Sequence, residues 1–382
     1  MLSSRVLPGV LAVIGGALLA VVLLAPFVYR SYRRRGELGL GSAVLAFGFL
    51  IYGFALVAYT LFPVPQIDDA WCAAHSALAQ PQLDPLRFLS DIAKEQRTPG
   101  LNGLLVNPAV QQVVFNVALF MPLGAYLRHY FRRGVPVVVL TGAAVSLLIE
   151  CTQLTGNWFL FACPYRLFDV DDLLANTLGT AIGLVFAPML RLFDRRGETA
   201  ADAPRPVTTG RRWLGMLVDL VSVVVFGGVL GIAANLVGRY GFGIWLVEQP
   251  WGMTLQIVLS TWLPAVLLLA APSLSASGAT VGQRAVRLRR VRPDGSPAGA
   301  RVVVALLFGC FGYSTLTGLD HFLPGMEELA QLLLFGALVF AWRPRSHPGL
   351  SGLVAGLTVV DDRAQPGAVG AEASPAAKET SS

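Results

Sequence analysis

The sequence predicts an all-α integral membrane protein, and three observations carry that prediction. Of the 382 residues, 54% are hydrophobic and only 14% are charged, against about 25% charged in an ordinary soluble domain. Mean hydropathy is +0.62, so the chain lacks the polar atoms to coat a globule in water. The apolar residues also gather into runs such as Val6 to Tyr29, Leu40 to Phe62 and Met253 to Pro272, each about the 20 residues that cross hydrocarbon as a helix. A soluble enzyme, a disordered chain and a secreted disulfide scaffold are excluded.

Hydropathy gives nine candidate spans, near residues 9–29, 40–62, 112–131, 136–155, 172–193, 213–236, 251–272, 302–319 and 326–342. The first is followed by four arginines rather than a small-residue cleavage site, so no cleavable signal peptide is expected. Net charge is +6, carried almost wholly by arginine. Alternating the connections with the N-terminus outside puts 23 of the 29 basic residues on the inner side. These include Arg30 to Arg35, Arg128 to Arg133, Arg191 to Arg212, Arg284 to Arg301 and the C-terminal Arg343, Arg345, Arg363 and Lys378. The outer side keeps Arg5, Arg87, Lys94, Arg97, Arg166 and Arg239. The positive-inside rule therefore predicts a multi-pass plasma-membrane protein, N-out and C-in. The arginines belong to that sorting, and no nucleic-acid partner is expected.

Two blocks follow from composition. A five-span block covers residues 1–195, a polar linker with two prolines covers 196–210, and a four-span block covers 211–360. Residues 361–382, rich in Ala, Pro, Gly and Ser, are expected to be a disordered cytoplasmic tail. No internal repeat of the kind that marks inverted-repeat transporters is evident.

Charge inside a span is costly, so the places where it survives locate sites. Glu150 is the one carboxylate deep in the first block, and Gln153 lies three residues on, on the same helical face. The next loop carries Arg166, Asp169, Asp171 and Asp172. Asp169, Asp172, Asn176, Gly179 and Gly183 then form a single helical stripe, whose glycines would let another helix approach closely. Asn116 falls at the same outer depth. Four carboxylates against one arginine leave an acidic excess, which calls for a cation, a proton or a cationic ligand. The bland alternative is an Arg166 ion pair with Asp169 or Asp172, a capped helix, and amides that merely join helices.

The stretch Asn116-Val-Ala-Leu-Phe-Met-Pro-Leu-Gly124, then Glu150-x-x-Gln153, then Arg166-Leu-Phe-Asp169-Val-Asp-Asp172-Leu-Leu-Ala-Asn176-Thr-Leu-Gly179 resembles the VanZ family. With its flanking spans the resemblance covers roughly residues 10–195. It implies an integral membrane protein with a shared outer-side polar site, in a family linked by name to low-level teicoplanin resistance. The expected binding residues are Asn116, Glu150, Gln153, Arg166, Asp169, Asp172 and Asn176. Glu150, Asp169 and Asp172 are also the candidates for catalysis on a lipid-linked phosphate, with a divalent cation as the one cofactor they would accommodate. The partners expected are the lipid bilayer and a teicoplanin-like glycopeptide or lipid-linked cell-wall precursor.

The long outer loop from Pro63 to Asn107 is expected to cover this site. Asp84-Pro85 signals the start of a short interfacial helix whose apolar face is Leu86, Leu89, Ile92 and Ala93. Cys72 and Cys163 both fall outside and are free to pair in oxidising surroundings.

In the second block, Asp219 lies seven residues beyond Arg212 and shares its helical face. Val286-Arg-Leu-Arg289 with the Pro293-Asp-Gly turn is expected to form a basic cytoplasmic β-hairpin. Arg212, Asp219, Thr280/Gly282 and the ending from Pro348 to Val360 resemble the RDD family over about residues 208–362. The ending departs from that pattern, with Ser351-Gly352 where a carboxylate is usual. The resemblance implies cation/proton exchange through Asp219 as an alternative function; the bland reading is a carboxyl hydrogen-bonded to its neighbours.

Overall fold

The computed structural model describes residues 6–62, 64–96, 98, 100–193, 200–342 and 349–364. The residues expected to form the tail beyond 364, linker residues 196–199, and Arg5, Arg97, Arg343, Arg345, Pro348 and Lys378 lie outside them. The chain is mainly helical and divides into two compact units, residues 1–20 with 39–196 and residues 21–38 with 197–382. The division falls inside the first helix.

The first unit contains α1 (Val6–Arg35) as far as residue 20, α2 (Leu40–Leu61), a short helix α3 (Arg87–Glu95), α4 (Pro108–His129), α5 (Val135–Leu154) and α6 (Val170–Phe186). Local chemistry sets the starts. Asn107 caps α4, its Oδ1 accepting from the Ala109 and Val110 N–H groups, with Pro108 at the first helical position. Asp169 caps α6 by accepting from Asp171 N–H at 2.8 Å. Two further acids, Asp171 and Asp172, sit in its first turn, where the helix dipole favours them.

Helices α4 and α6 form the tightest pair of the unit, because three glycines remove the side chains between them. A Cβ on Gly179 would lie 2.2 Å from the Val117 carbonyl oxygen, one on Gly183 2.1 Å from that of Met121, and one on Gly124 2.0 Å from that of Thr180. The close approach expected of the glycine stripe is thus present. Around it, Leu56, Phe120 and Leu123 make the apolar core.

Between α5 and α6 the backbone makes a left-handed turn through Gly156, Asn157, Trp158 and Phe159, with φ between 55° and 65°. Such a run is unfavourable for L-residues by about 1–2 kcal/mol each. Several bonds hold it: Thr155 Oγ1 accepts from Trp158 N–H, Phe161 N–H donates to Gly156 C=O, and Tyr165 Oη donates to Asn157 Oδ1. Trp158, Phe159 and Leu160 project outward, more than half exposed, as aromatic anchors at a membrane interface do.

The second unit is built on the long α7 (Thr209–Leu236), which Thr208 caps. A two-stranded sheet joins β1 (Leu288–Val291) to β2 (Thr358–Asp361), antiparallel, with Arg290 opposite Val359. The expected hairpin is therefore corrected. The turn after Val291 closes with only a bridge to Pro297, which has no N–H to continue a ladder, and β1 takes its partner from the far end of the chain. The part of α1 from residue 21 onward supplies Val28 and Tyr32 to a core shared with Val218, Val286, Leu288 and Val359.

A buried arginine ties these parts together. Arg211 donates to Asp361 Oδ2 at 2.8 Å and to the carbonyls of Val286 and Arg287, and lies 5.5 Å from the centre of the Tyr32 ring. Arg363 also donates to Asp361. Burial alone would raise the Asp361 carboxyl, but the hydrogen bonds from Arg363 and Arg211 outweigh it and hold the group well below the usual carboxylate range.

Among the described residues, seven helices are long and apolar enough to cross a membrane, and the protein is a membrane protein on that ground. An eighth span arises if Arg301–Leu307 and Cys310–Leu319, bent by 52° at the intervening Gly309, count as one. The ninth segment expected from hydropathy is a helix of 16 residues, Met326–Ala341, or about 24 Å against about 30 Å of hydrocarbon.

Two outcomes test this packing. Gly179→Ala should lower thermal stability in detergent by about 1–3 kcal/mol through overpacking, whereas Gly53→Ala, where a Cβ meets nothing within 4 Å, should be neutral or stabilising. Equal effects would mean that close α4–α6 contact is not what Gly179 serves. Asp361 should stabilise the second unit above the unfolded aspartate pKa of about 3.9, and this contribution should fade as pH falls towards the depressed folded value. Asp361→Asn should remove that acid sensitivity and cost about 3 kcal/mol at neutral pH, because Arg211 keeps its buried charge; pH-dependent unfolding curves decide.

Candidate functional site

The polar cluster predicted for the first unit gathers around the start of α6. Asn116, on α4, donates from Nδ2 to Asp172 Oδ1 at 2.5 Å, and Gln112, one turn earlier, donates to the same oxygen at 3.2 Å. Glu150, near the end of α5 and 2% exposed, accepts from Asp169 N–H at 3.1 Å through Oε2. The carboxyl therefore touches the backbone of the residue that caps α6. Burial raises the Asp169 carboxyl, the hydrogen bond from Asp171 N–H opposes this, and the neighbouring Asp171 charge adds to the rise. Asn176, 4% exposed, donates to Ser146 Oγ at 2.9 Å, while its Oδ1 is buried without a hydrogen-bond partner among the described residues. It stands one turn below Asp172 on the same helical face.

Two of the expected residues turn elsewhere. Gln153 donates to Thr60 C=O at 2.7 Å and so fastens α5 to the end of α2. Arg166 donates to Phe62 C=O at 2.9 Å, and no ion pair with Asp169 or Asp172 is formed within 4 Å. Both serve α2, whose last carbonyls have no partner inside their own helix. Four acids thus remain with no arginine bound to any of them among the described residues. No group of three or more His, Cys, Asp or Glu side chains stands ready to hold a metal ion among those residues.

The loop before α4 packs against this cluster. A disulfide joins Cys72 to Cys163, with Cα atoms 5.9 Å apart. Gln82 exchanges backbone hydrogen bonds with Phe168 and Val170, a one-residue parallel bridge beside Asp169. Asp171, 6% exposed, reaches back to α3: its Oδ1 accepts from Leu86 N–H at 2.6 Å and its Oδ2 from Phe88 N–H at 2.9 Å. This corrects the expected helix start. Asp84 is held in a turn by Gln82, Leu86 adopts a left-handed conformation with φ 66°, and the cap comes from a residue 85 positions away. Asp171 is the member of the site that local pattern left out, since only the fold brings it to α3. Leu86 and Leu89 remain more than half exposed, as befits a helix lying in an interface.

In the second unit, Asp219 is 3% exposed and accepts from Thr280 Oγ1 at 2.7 Å and from Gly282 N–H at 2.6 Å. Thr280 and Gln283 also form a capping box there. Arg212, Asp219, Thr280, Arg290, Cys310 and Ser351 line a small cavity of about 30 Å³, room for a water or two.

Residues 49–191 match the VanZ/LLP1 family model, so the first unit carries a VanZ-like domain. No curated protein and no solved structure matches the chain.

Asp171→Ala should leave the Leu86 and Phe88 amides without acceptors at a cost of about 1–2 kcal/mol. Hydrogen exchange over residues 86–95 should quicken while the amides of α4 keep their protection. Unchanged exchange in α3 would show that something other than this carboxylate holds the loop.

Proposed function

We propose that the VanZ-like domain binds, at the outer leaflet of the plasma membrane, an acylated envelope ligand that carries a cationic group. Teicoplanin-like glycopeptides and lipid-linked cell-wall precursors are the two members of that class to try first. The observation that carries this reading is an acidic excess at the start of α6: Glu150 accepts from the Asp169 backbone, Asp172 sits in the same first turn, and Arg166 gives its hydrogen bond to Phe62 C=O instead of to a carboxylate. A cation entering beside them gains Coulomb energy that water does not screen away. Asn176 Oδ1 offers an acceptor without a donor at the same helix face, and an ammonium supplies donors. The lipid side of such a ligand would lie among the outward-facing leucines of α3 and the Trp158-Phe159-Leu160 turn. The enzymatic version of the same site, hydrolysis of a lipid-linked phosphate with a divalent cation, would require Glu150, Asp169 and Asp172 to draw closer together than they stand here.

For the second unit the competing reading is cation/proton exchange in an RDD-like domain. What supports it is that Arg212, Asp219, Thr280 and Ser351, the positions on which that resemblance and its one departure rest, line a single cavity. Against a cation there, both Asp219 oxygens already accept hydrogen bonds, and Arg212 and Arg290 add positive charge.

One set of variants separates the readings. Purified protein should bind teicoplanin or the precursor with an affinity that drops at least roughly tenfold in Glu150→Gln and in Asp172→Asn, the loss of about 1.4 kcal/mol, and stays unchanged in Asp219→Asn. The reverse pattern, with proton movement in vesicles abolished by Asp219→Asn, would favour exchange and remove the binding proposal. Release of phosphate from the precursor, lost in Glu150→Gln, would replace binding by catalysis.

A further inference from the structure

The first unit holds a second charged recess, at the opposite ends of α4 and α6 from the acidic cluster. Arg128, His129 and Arg132 at the end of α4 face Leu184, Ala187, Pro188 and Arg191 at the end of α6 and in the 3₁₀ turn Ala187–Leu192 that follows it. The recess measures about 660 Å³. Three guanidinium groups line it, and no acidic side chain does among the described residues.

We propose that this recess binds the phosphate of an anionic phospholipid headgroup, with Arg128, Arg132 and Arg191 as its ligands and Leu184, Ala187 and Pro188 against the glycerol and first acyl carbons. Its depth fits that occupant. Helix α4 ends at His129 and the candidate span begun by α6 ends at Leu192, so the recess opens where hydrocarbon gives way to headgroups. Guanidinium forks match phosphate oxygens geometrically. The half-apolar lining suits a lipid better than a freely dissolved phosphate, which would gain nothing from Leu184 or Pro188.

The backbone at Arg132 adds an independent observation. Arg133 N–H donates to Leu127 C=O, six residues back, and the chain reverses there through Arg132, which is left-handed with φ 54°. Glycine is the usual occupant of such a position. Gly134 lies two residues on, yet the strained position holds an arginine. The turn directs that side chain back to the recess instead of into the following loop, and Arg128 is fixed by donating from Nη1 to Arg133 C=O at 3.1 Å.

The test uses the full chain in phosphatidylcholine nanodiscs, with and without phosphatidylglycerol, counting the lipids that stay bound by native mass spectrometry. Phosphatidylglycerol should be enriched over phosphatidylcholine. Each of Arg128→Gln, Arg132→Gln and Arg191→Gln should lower the enrichment by roughly fivefold, the equivalent of about 1 kcal/mol per basic residue at an anionic surface. As the control for general attraction, Arg30→Gln with Arg34→Gln on α1 should leave it unchanged. Arg132→Gly separates binding from folding: it relieves the left-handed strain, so the unfolding midpoint should hold or rise while phosphatidylglycerol is lost. Equal loss in the α1 control, or retention of phosphatidylglycerol in all three recess variants, overturns the proposal. Displacement of the bound lipid by millimolar glycerol phosphate would overturn the lipid assignment and leave a site for soluble phosphate esters.

Discussion

The close approach of α4 and α6 is the constraint on which the first unit depends. Two helices whose backbones nearly touch cannot carry side chains between them, and Gly124, Gly179 and Gly183 meet that condition with carbonyl oxygens in the place of Cβ atoms. Bringing the axes together shortens every distance at the ends of the pair. At one end Asn116 reaches Asp172 directly, and at the other Arg128 and Arg132 reach the same recess as Arg191. A pair of helices set apart by ordinary leucine packing would hold the same residues too far from one another to act together. The contact is thus a structural device whose consequences appear at both membrane faces.

Neighbouring residues of like charge do different work because a helix turns about 100° per residue. Asp171 faces outward to the loop and holds two amides of α3, while Asp172 faces α4 and holds Asn116. Arg211 enters the sheet of the second unit and binds Asp361, while Arg212 lines the cavity beside Asp219. In each pair the first member is architectural and the second is exposed to a site.

The sequence made legible whatever depended on periodicity or on chemistry close in the chain. The long apolar helices, though not their number, the glycine stripe, the cap of α6 and the gathering of Glu150, Asp169 and Asp172 could each be reasoned from spacing, since the ends of α5 and α6 are close in the chain. What spacing could not supply was the identity of distant partners. Asp84 bore the local mark of a helix cap, yet Asp171 performs that role for α3. Val286 to Arg289 bore the mark of a hairpin, yet β1 pairs with a strand about 70 residues further on. Arg166 and Gln153 belonged to the motif, but carbonyl groups at the end of α2 claimed them. For Arg166 and Gln153 a backbone carbonyl elsewhere in the fold outcompeted the nearer side chains, and for α3 and β1 the partner came from far along the chain; neither has a signature in the residues it serves.

The disulfide between Cys72 and Cys163 bears on how the protein is made. Two spans, α4 and α5, lie between the cysteines, an even number, so a chain threaded correctly delivers both sulfurs to one side. Oxidation must wait until α5 has crossed, because Cys163 emerges only after it. A ribosome that has released α4 but not α5 leaves Cys72 as a lone thiol, and a chain that fails to insert α5 leaves it so for good. The bridge is therefore a molecular receipt for a completed helical hairpin, legible to any oxidoreductase or quality-control protease that distinguishes thiols from disulfides.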